Sequence, residues 1–333
     1  MTFAAIEAQE PAVQVLRHAL ASDRIGQAYL FVGPSGVGKQ LAALALARAA
    51  NCKEQPGEGC DRCESCRRIA EGVHPDVRVF APRDEGNRNL PVDYLRSEVL
   101  PFAKFAPFEG GRAFLIFPQA DVSFPEQHPE AANALLKTLE EPRPHVHFVL
   151  LSERPERLLA TIRSRCQRVR FGALPAAVIE RILVRRGVAE PAAKSAAALA
   201  RGRADLALTL SENERAEQML QWAMRVDVAL AQGSASELLE LGEALARSDE
   251  RELVLESLAA FYRDVAACGL GLPREALAFA HRADALAERA RVLAPARAAE
   301  RVAMVHELNE NLLRNANPEV ALDGLLFTLS TSR

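Results

Sequence analysis

Two groups of residues in this chain combine types and spacing that can do chemistry. The first is the loop Gly33-Pro-Ser-Gly36-Val-Gly38-Lys39-Gln40. Closely spaced glycines let successive backbone N–H groups turn inward around an anion, and a helix starting at the end of the loop adds the positive end of its dipole. Gly33, Gly36, Gly38, Lys39 and Gln40 are therefore candidate nucleotide-binding residues, with Lys39 directed at the outer phosphates. The second group is Cys52, Cys60, Cys63 and Cys66. Gaps of two residues let successive thiolates converge on one ion, and the longer loop brings in the fourth. Four thiolates fill the tetrahedral shell of a structural Zn²⁺ and leave no open position for catalysis. Free thiols or a disulfide pair are the alternative.

Binding of a nucleotide and its hydrolysis are separate questions here. A hydrolysing phosphate loop ends in Ser or Thr, whose hydroxyl holds Mg²⁺, and a second strand supplies an acidic residue to the same ion. This chain has Gln40 at the first position. The apolar run Ala113–Phe117 continues into Pro118-Gln119, and Asp121 follows four residues too late. With both magnesium anchors missing, ATP remains a possible ligand while hydrolysis by this chain is not expected.

Only five of the 41 basic residues are lysines: Lys39, Lys53, Lys104, Lys137 and Lys194. In a chain that writes its positive charge as arginine, a lysine in the glycine loop stands out. A dense basic run surrounds Ser164-Arg165-Cys166: Arg154, Arg157, Arg163, Arg168 and Arg170. Such a run offers guanidinium to a phosphate, in particular one held by another subunit. On charge pattern alone a solvated basic face is the simpler reading. His74-Pro75-Asp76 precedes an apolar run, and a lone histidine there reads as a local hydrogen-bonding residue. Cys166 and Cys268 stand apart from the other cysteines and read as small buried hydrophobes.

The elements that must position these residues follow from periodicity. Helical patterns cover Glu10–Ala21, Gly38–Ala50, Pro91–Lys104, Pro129–Glu140 and Glu156–Arg163. Short apolar strands are expected at Ala28–Val32, Val77–Phe80, Ala113–Phe117, Val146–Leu151 and Gln167–Phe171. This alternation predicts a mostly parallel sheet covered by helices. In Asn133–Pro142, Leu135, Leu136 and Leu139 share one face and Pro142 stops the helix. Ala81–Pro91, rich in Gly, Pro and Asn, reads as an exposed loop. After Leu174-Pro175 the strand patterns vanish and helical periodicity runs to the end. A polar break at Ser211–Glu214 divides this region, and Cys268–Pro273 reads as a turn between helices.

At 333 residues, 49% hydrophobic and 26% charged, the chain is long enough for two or three domains with sizeable cores. A net charge of −3 gives no global attraction to nucleic acid. No apolar run is long enough to span a bilayer and the start of the chain lacks the layout of a signal peptide, so a cytoplasmic location is expected.

Together these motifs resemble the clamp-loader branch of the AAA+ proteins. The resemblance rests on the four-cysteine insert after the loop helix and on His74-Pro75-Asp76. It also rests on Ala132–Pro142 and on Glu156–Cys166, and it covers about residues 5 to 171. It implies an AAA+ nucleotide-binding-type α/β domain over 1–171 with a zinc insert at 52–66. A small helical lid over 172–211 and an all-helical oligomerisation collar over 212–333 complete it. Such proteins form a five-subunit ring that opens a sliding clamp and places it on primed DNA. The implied partners are other clamp-loader subunits, with the clamp and primer–template DNA reached through the complex. In this family the arginine of Ser-Arg-Cys reaches the ATP of a neighbouring subunit, which makes Arg165 a trans-acting finger. Gln40 and Phe117-Pro118 resemble a non-hydrolysing stator; a motor-type subunit with its own ATPase is the alternative. Two further positions depart from the motor pattern. Ser152-Glu153 ends the fourth strand, where a motor carries a polar sensor. In Arg201-Gly-Arg-Ala-Asp205, Asp205 falls at the position of the lid's phosphate-sensing arginine, with Arg203 only nearby. A third reading, an independent nucleic-acid-binding module, predicts salt-sensitive DNA binding without partners. It is weakened because the cysteine loop carries no aromatic residue to stack on bases.

Overall fold

A computed structural model describes residues 2–81, 90–109, 111–126, 129–141, 143–212, 215–232, 235–248, 250–313 and 317–331. Most of the loop expected over 81–91, Pro142, and Asn213 and Glu214 of the polar break lie outside the described residues. The chain divides into two compact units, residues 1–175 and 176–333.

The first unit is built on five parallel strands: β1 (Ala28–Val32), β2 (Val77–Val79), β3 (Ala113–Phe117), β4 (Val146–Ser152) and β5 (Gln167–Arg170). Their order across the sheet is β2-β3-β4-β1-β5. The central strands β1, β3 and β4 are buried almost throughout because helices cover both of their faces, and they are apolar apart from His147 and Ser152 of β4. The edge strands, Val-Arg-Val and Gln-Arg-Val-Arg, are short and carry exposed arginines, which discourages further pairing. β1 lies in register with both neighbours, Val32 opposite Ser152 on one side and Arg170 on the other.

Helices α1 (Glu10–Ala21), α2 (Lys39–Asn51), α3 (Glu64–Ala70), α4 (Pro129–Glu140) and α5 (Ala160–Arg165) flank this sheet. α1 buries Ala12, Val13, Leu16 and Ala19, one face of the helical period. α4 buries Ala131, Ala132, Leu135 and Leu139 in the same way. Leu30, Leu115, Phe117, Phe148 and Leu150 of the sheet form one core cluster with Leu135, Leu139, Leu158 and Ile162.

Two expected helices differ in detail. The segment expected as one helix over Pro91–Lys104 is helical at Val92–Tyr94 and Leu100–Lys104, with a wider π turn at Leu95–Val99 between them. Pro101 has no N–H to donate and its ring crowds the preceding turn, and widening that turn relieves both. The helix expected over Glu156–Arg163 begins with a tight turn at Pro155–Arg157. Leu158 and Leu159 then run extended, burying Leu158 completely, before α5 starts at Ala160. Periodicity does not mark α3, because its seven residues are mostly polar.

The second unit has helices and no strand among its described residues. It comprises α6 (Ala176–Arg185), α7 (Glu190–Leu199), α8 (Ala204–Ser211), α9 (Arg215–Gln232), α10 (Ala235–Arg247), α11 (Arg251–Gly269), α12 (Ala283–Val292), α13 (Pro295–Leu313) and α14 (Pro318–Thr331). α11 is buried on nearly every side and packs against α9, α12 and α13. Between them lies a buried polar network. Asp227 accepts from Tyr262 Oη at 3.0 Å, Arg289 Nε at 2.6 Å and Arg301 Nη1 at 3.2 Å. No described helix is long and apolar enough to cross a membrane.

Candidate functional site

The glycine loop leaves the carboxyl end of β1 and closes on the first turn of α2. Gly33 donates its N–H to the Ser152 carbonyl at 3.2 Å, tying the loop to the end of β4. A Cβ on Gly33 would stand 2.3 Å from the Phe171 carbonyl oxygen, so this close approach requires glycine. Gly36 and Gly38 have φ of +66° and +98°, conformations that glycine adopts without the Cβ penalty. Gly38 caps α2, and Lys39 is its first residue. Lys39 is buried, and its ammonium donates to the carbonyls of Gly33, at 2.7 Å, and Pro34. Gln40 is exposed on the same turn.

The carboxyl end of β3 is apolar. Phe117 is fully buried, stacks on Phe80 with ring centres 5.5 Å apart and meets Phe124 edge-on at 5.2 Å. Asp121 is buried in the short helix Ala120–Ser123 that follows. At the end of β4 the buried Ser152 hydroxyl has no hydrogen-bond partner among the described residues. Aromatic packing thus fills the strand end where a magnesium-binding carboxylate belongs.

The four cysteine sulfurs lie within 4.8 Å of one another. Cys52 Sγ and Cys63 Sγ are 3.9 Å apart. A tetrahedron with Zn–S bonds of about 2.3 Å has edges of about 3.8 Å, so the donor set fits zinc. Cys52 Sγ accepts the Gln55 N–H and Cys60 Sγ accepts the Cys63 N–H, each at 3.2 Å, which orients the sulfurs. At Cys63 burial opposes ionisation, but the Cys66 N–H and the neighbouring thiols outweigh it and bring the pKa down to about 7. His74 is not among these ligands. Its Nε2 lies 3.2 Å from Ser65 Oγ and its Nδ1 accepts the Asp76 N–H at 3.1 Å, the local role expected of it. Cys166 and Cys268 are half-buried, less enclosed than expected.

Arg165 ends α5, immediately before β5. The strands are parallel, so a residue entering β5 sits at the amino edge of the sheet, whereas the glycine loop leaves the carboxyl edge. Four residues of β5 at about 3.3 Å each put about 13 Å between those edges. Nη1 of Arg165 donates to the Thr161 carbonyl at 2.9 Å, and Nη2 is ion-paired with Glu140 at the end of α4. Arg157, Arg168 and Arg170 are exposed, and Arg170 lies at the far, carboxyl end of β5.

In the second unit Arg201, in a left-handed conformation, pairs through Nε with Glu256 at 2.6 Å and bonds His306. Burial pushes the Glu256 carboxyl up to about 7 despite the Arg201 charge beside it. Arg203 reaches Asp205 at 3.5 Å.

The family model described as DNA polymerase III, delta subunit, matches residues 8–175. The DNA polymerase III subunit delta′ of Bacillus subtilis is 32% identical over 269 residues, covering 80% of this chain and 79% of that protein. The chain belongs to the DNA polymerase III delta-prime family. Subunit tau of B. subtilis is 37% identical over 171 residues, but that match covers 51% of this chain and 29% of tau. A solved DNA polymerase III gamma subunit-related protein from Thermotoga maritima is 19% identical, covering 97% of this chain and all of that one, with a TM-score of 0.43.

As a member of the delta-prime family the chain is a clamp-loader subunit of DNA polymerase III, and its first unit is an α/β domain with a parallel sheet flanked by helices. The delta-prime match runs well beyond the length of the first unit whereas the tau match spans half the chain, so the motor-type alternative is the less favoured.

Proposed function

We propose that this chain is the stator of its clamp loader: it hydrolyses no ATP itself and completes a neighbour's site with Arg165. The observation that carries this reading is the packing of Phe117 between Phe80 and Phe124. With an aromatic core at the end of β3 and Gln40 at the end of the glycine loop, Mg²⁺ has neither of its usual protein anchors. Gly33, Gly36, Gly38 and Lys39 still form a cradle that fits phosphate. Lys39 must leave the Gly33 and Pro34 carbonyls to reach one. Arg165 stands on the opposite edge of the sheet from this loop, which favours action on another subunit's nucleotide.

Zn²⁺ held by Cys52, Cys60, Cys63 and Cys66 is structural in this reading. Residues 172–211 act as the lid and 212–333 as the collar that assembles the ring. Gamma/tau and delta subunits are the direct partners, and the sliding clamp and primer–template DNA are met through the complex, in the cytoplasm. The test is ATP turnover by the purified chain and by the reconstituted loader. The isolated chain should show none, and Lys39→Ala should change nothing there. Arg165→Ala should depress DNA-stimulated turnover of the loader while assembly persists. Turnover by the isolated chain that Lys39→Ala abolishes would instead establish a motor.

A further inference from the structure

Glu140 is a carboxylate in an unfavourable place. It is the last residue of α4, where the helix dipole is negative and a cation is preferred. Packing does not account for it: Leu135 and Leu139 carry the buried face, while the Glu140 side chain remains 46% exposed. Arg165 resolves the conflict. It closes α5, so two carboxyl-terminal helix ends and one carboxylate converge on a single guanidinium.

The guanidinium is held at both terminal nitrogens, by the Thr161 carbonyl at 2.9 Å and by Glu140. Ser164 Oγ donates to the same Thr161 carbonyl at 3.1 Å, keeping the turn closed. These contacts occupy one N–H on each Nη. Among the described residues Nε–H and one further N–H on each Nη, of five in all, are left for an incoming oxyanion. The Arg165 side chain is 34% exposed.

We infer that Glu140 is a positioning residue for Arg165, holding its guanidinium at the amino edge of the sheet, ready for the phosphate of a neighbouring subunit's nucleotide. This rests on the trans-finger reading of Arg165 given above. A free arginine side chain samples many rotamers, and ordering it in advance removes that cost from the encounter. The pair is solvent-exposed and therefore modest in strength, so the expected effect is a tuning one.

The test uses the full loader reconstituted with its partner subunits, clamp and primed DNA, reading kcat and KM for ATP. Glu140→Ala should lower kcat by about two- to fivefold, the range of an exposed ion pair, with KM unchanged. In the Arg165→Ala background the same change should do nothing, a non-additivity that a purely structural role of α4 would not produce. If Arg165→Ala depresses turnover but Glu140→Ala leaves kcat unchanged or raises it, the positioning role is wrong. An equal loss in both backgrounds would overturn it as well. If Arg165→Ala itself has no effect, the trans-finger reading fails and takes this inference with it.

Discussion

The hydroxyl of Ser65, set between the cluster thiols of Cys63 and Cys66, lies 3.2 Å from Nε2 of the buried His74. His74 Nδ1 accepts the Asp76 N–H, and the Asp76 carboxylate accepts the N–H groups of Phe108 at 2.6 Å and Glu109 at 3.0 Å. The cysteine module is thereby keyed into the α/β unit, with Arg68–Glu109 at 2.5 Å as a second tie. Ser65→Ala leaves a buried imidazole nitrogen without this partner, a loss of about 1–3 kcal/mol. Thermal unfolding should show a lower midpoint; an unchanged one would mean the contact contributes nothing.

Metal content gives a second prediction. Purified chain should carry one equivalent of zinc by elemental analysis, and Cys63→Ser should lose it. Chelation should make the 52–66 segment newly sensitive to limited proteolysis, because the four-thiolate shell is what closes that loop. A metal-free chain with an unaltered cleavage pattern would exclude a structural ion there.

Gly33 admits no side chain. A methyl group 2.3 Å from the Phe171 carbonyl forces β1 and β5 apart at their ends. Gly33→Ala should cost about 1–3 kcal/mol, the range for overpacking, measured by urea denaturation. The same change should abolish any nucleotide binding detected by calorimetry.

His147 gives a pH dependence with a definite sign. It is buried in β4, donates through Nδ1 to the Gly26 carbonyl at 2.9 Å and receives Arg112 Nη1 at Nε2 at 3.2 Å, a pattern only the neutral ring satisfies. Burial, with Arg112 adding to it, lowers its pKa from 6.5 to about 4. Between those values the unfolded chain binds the extra proton, so stability is full above pH 6.5 and falls as the pH drops toward 4. The loss approaches about 3 kcal/mol at 1.36 kcal/mol per pKa unit. His147→Gln should flatten the midpoint-versus-pH curve in this window; an unaltered slope would assign it to other groups.

In the second unit Arg301 spans Asp227, Tyr262 and the Leu329 carbonyl while almost wholly buried. Arg301→Ala leaves Asp227 with Arg289 but strips it of one buried cation. Breaking a buried pair from one side costs about 3–5 kcal/mol, and the remaining Arg289 places this case at the lower end. Chemical denaturation of the full chain should show the loss.

Much of this molecule was legible along the chain. The glycine loop, the cysteine spacing and the five strands depend on residues within a few positions of one another, and periodicity reports such local preferences directly. Ala28–Val32 and Ala113–Phe117 appear with the bounds expected of them. Where reading failed, a distant partner or a backbone constraint decided. Pro101 widened a helix expected to be regular, and Leu158 left its helix to enter the core.

The linear sequence determined which groups are present: a phosphate cradle without a magnesium hydroxyl, four thiols at metal spacing, and an arginine ahead of a strand. Tertiary structure alone decided where they stand. The parallel pairing of β1 and β5 sets Arg165 at the amino edge, away from Gly33–Gln40 at the carboxyl edge, and chain folding brings Glu140, 25 residues earlier, onto its guanidinium. The same applies to Phe80, Phe117 and Phe124 closing the end of β3. Local spacing cannot encode such contacts, because each depends on loops whose closure is offset only by the packing of the whole unit.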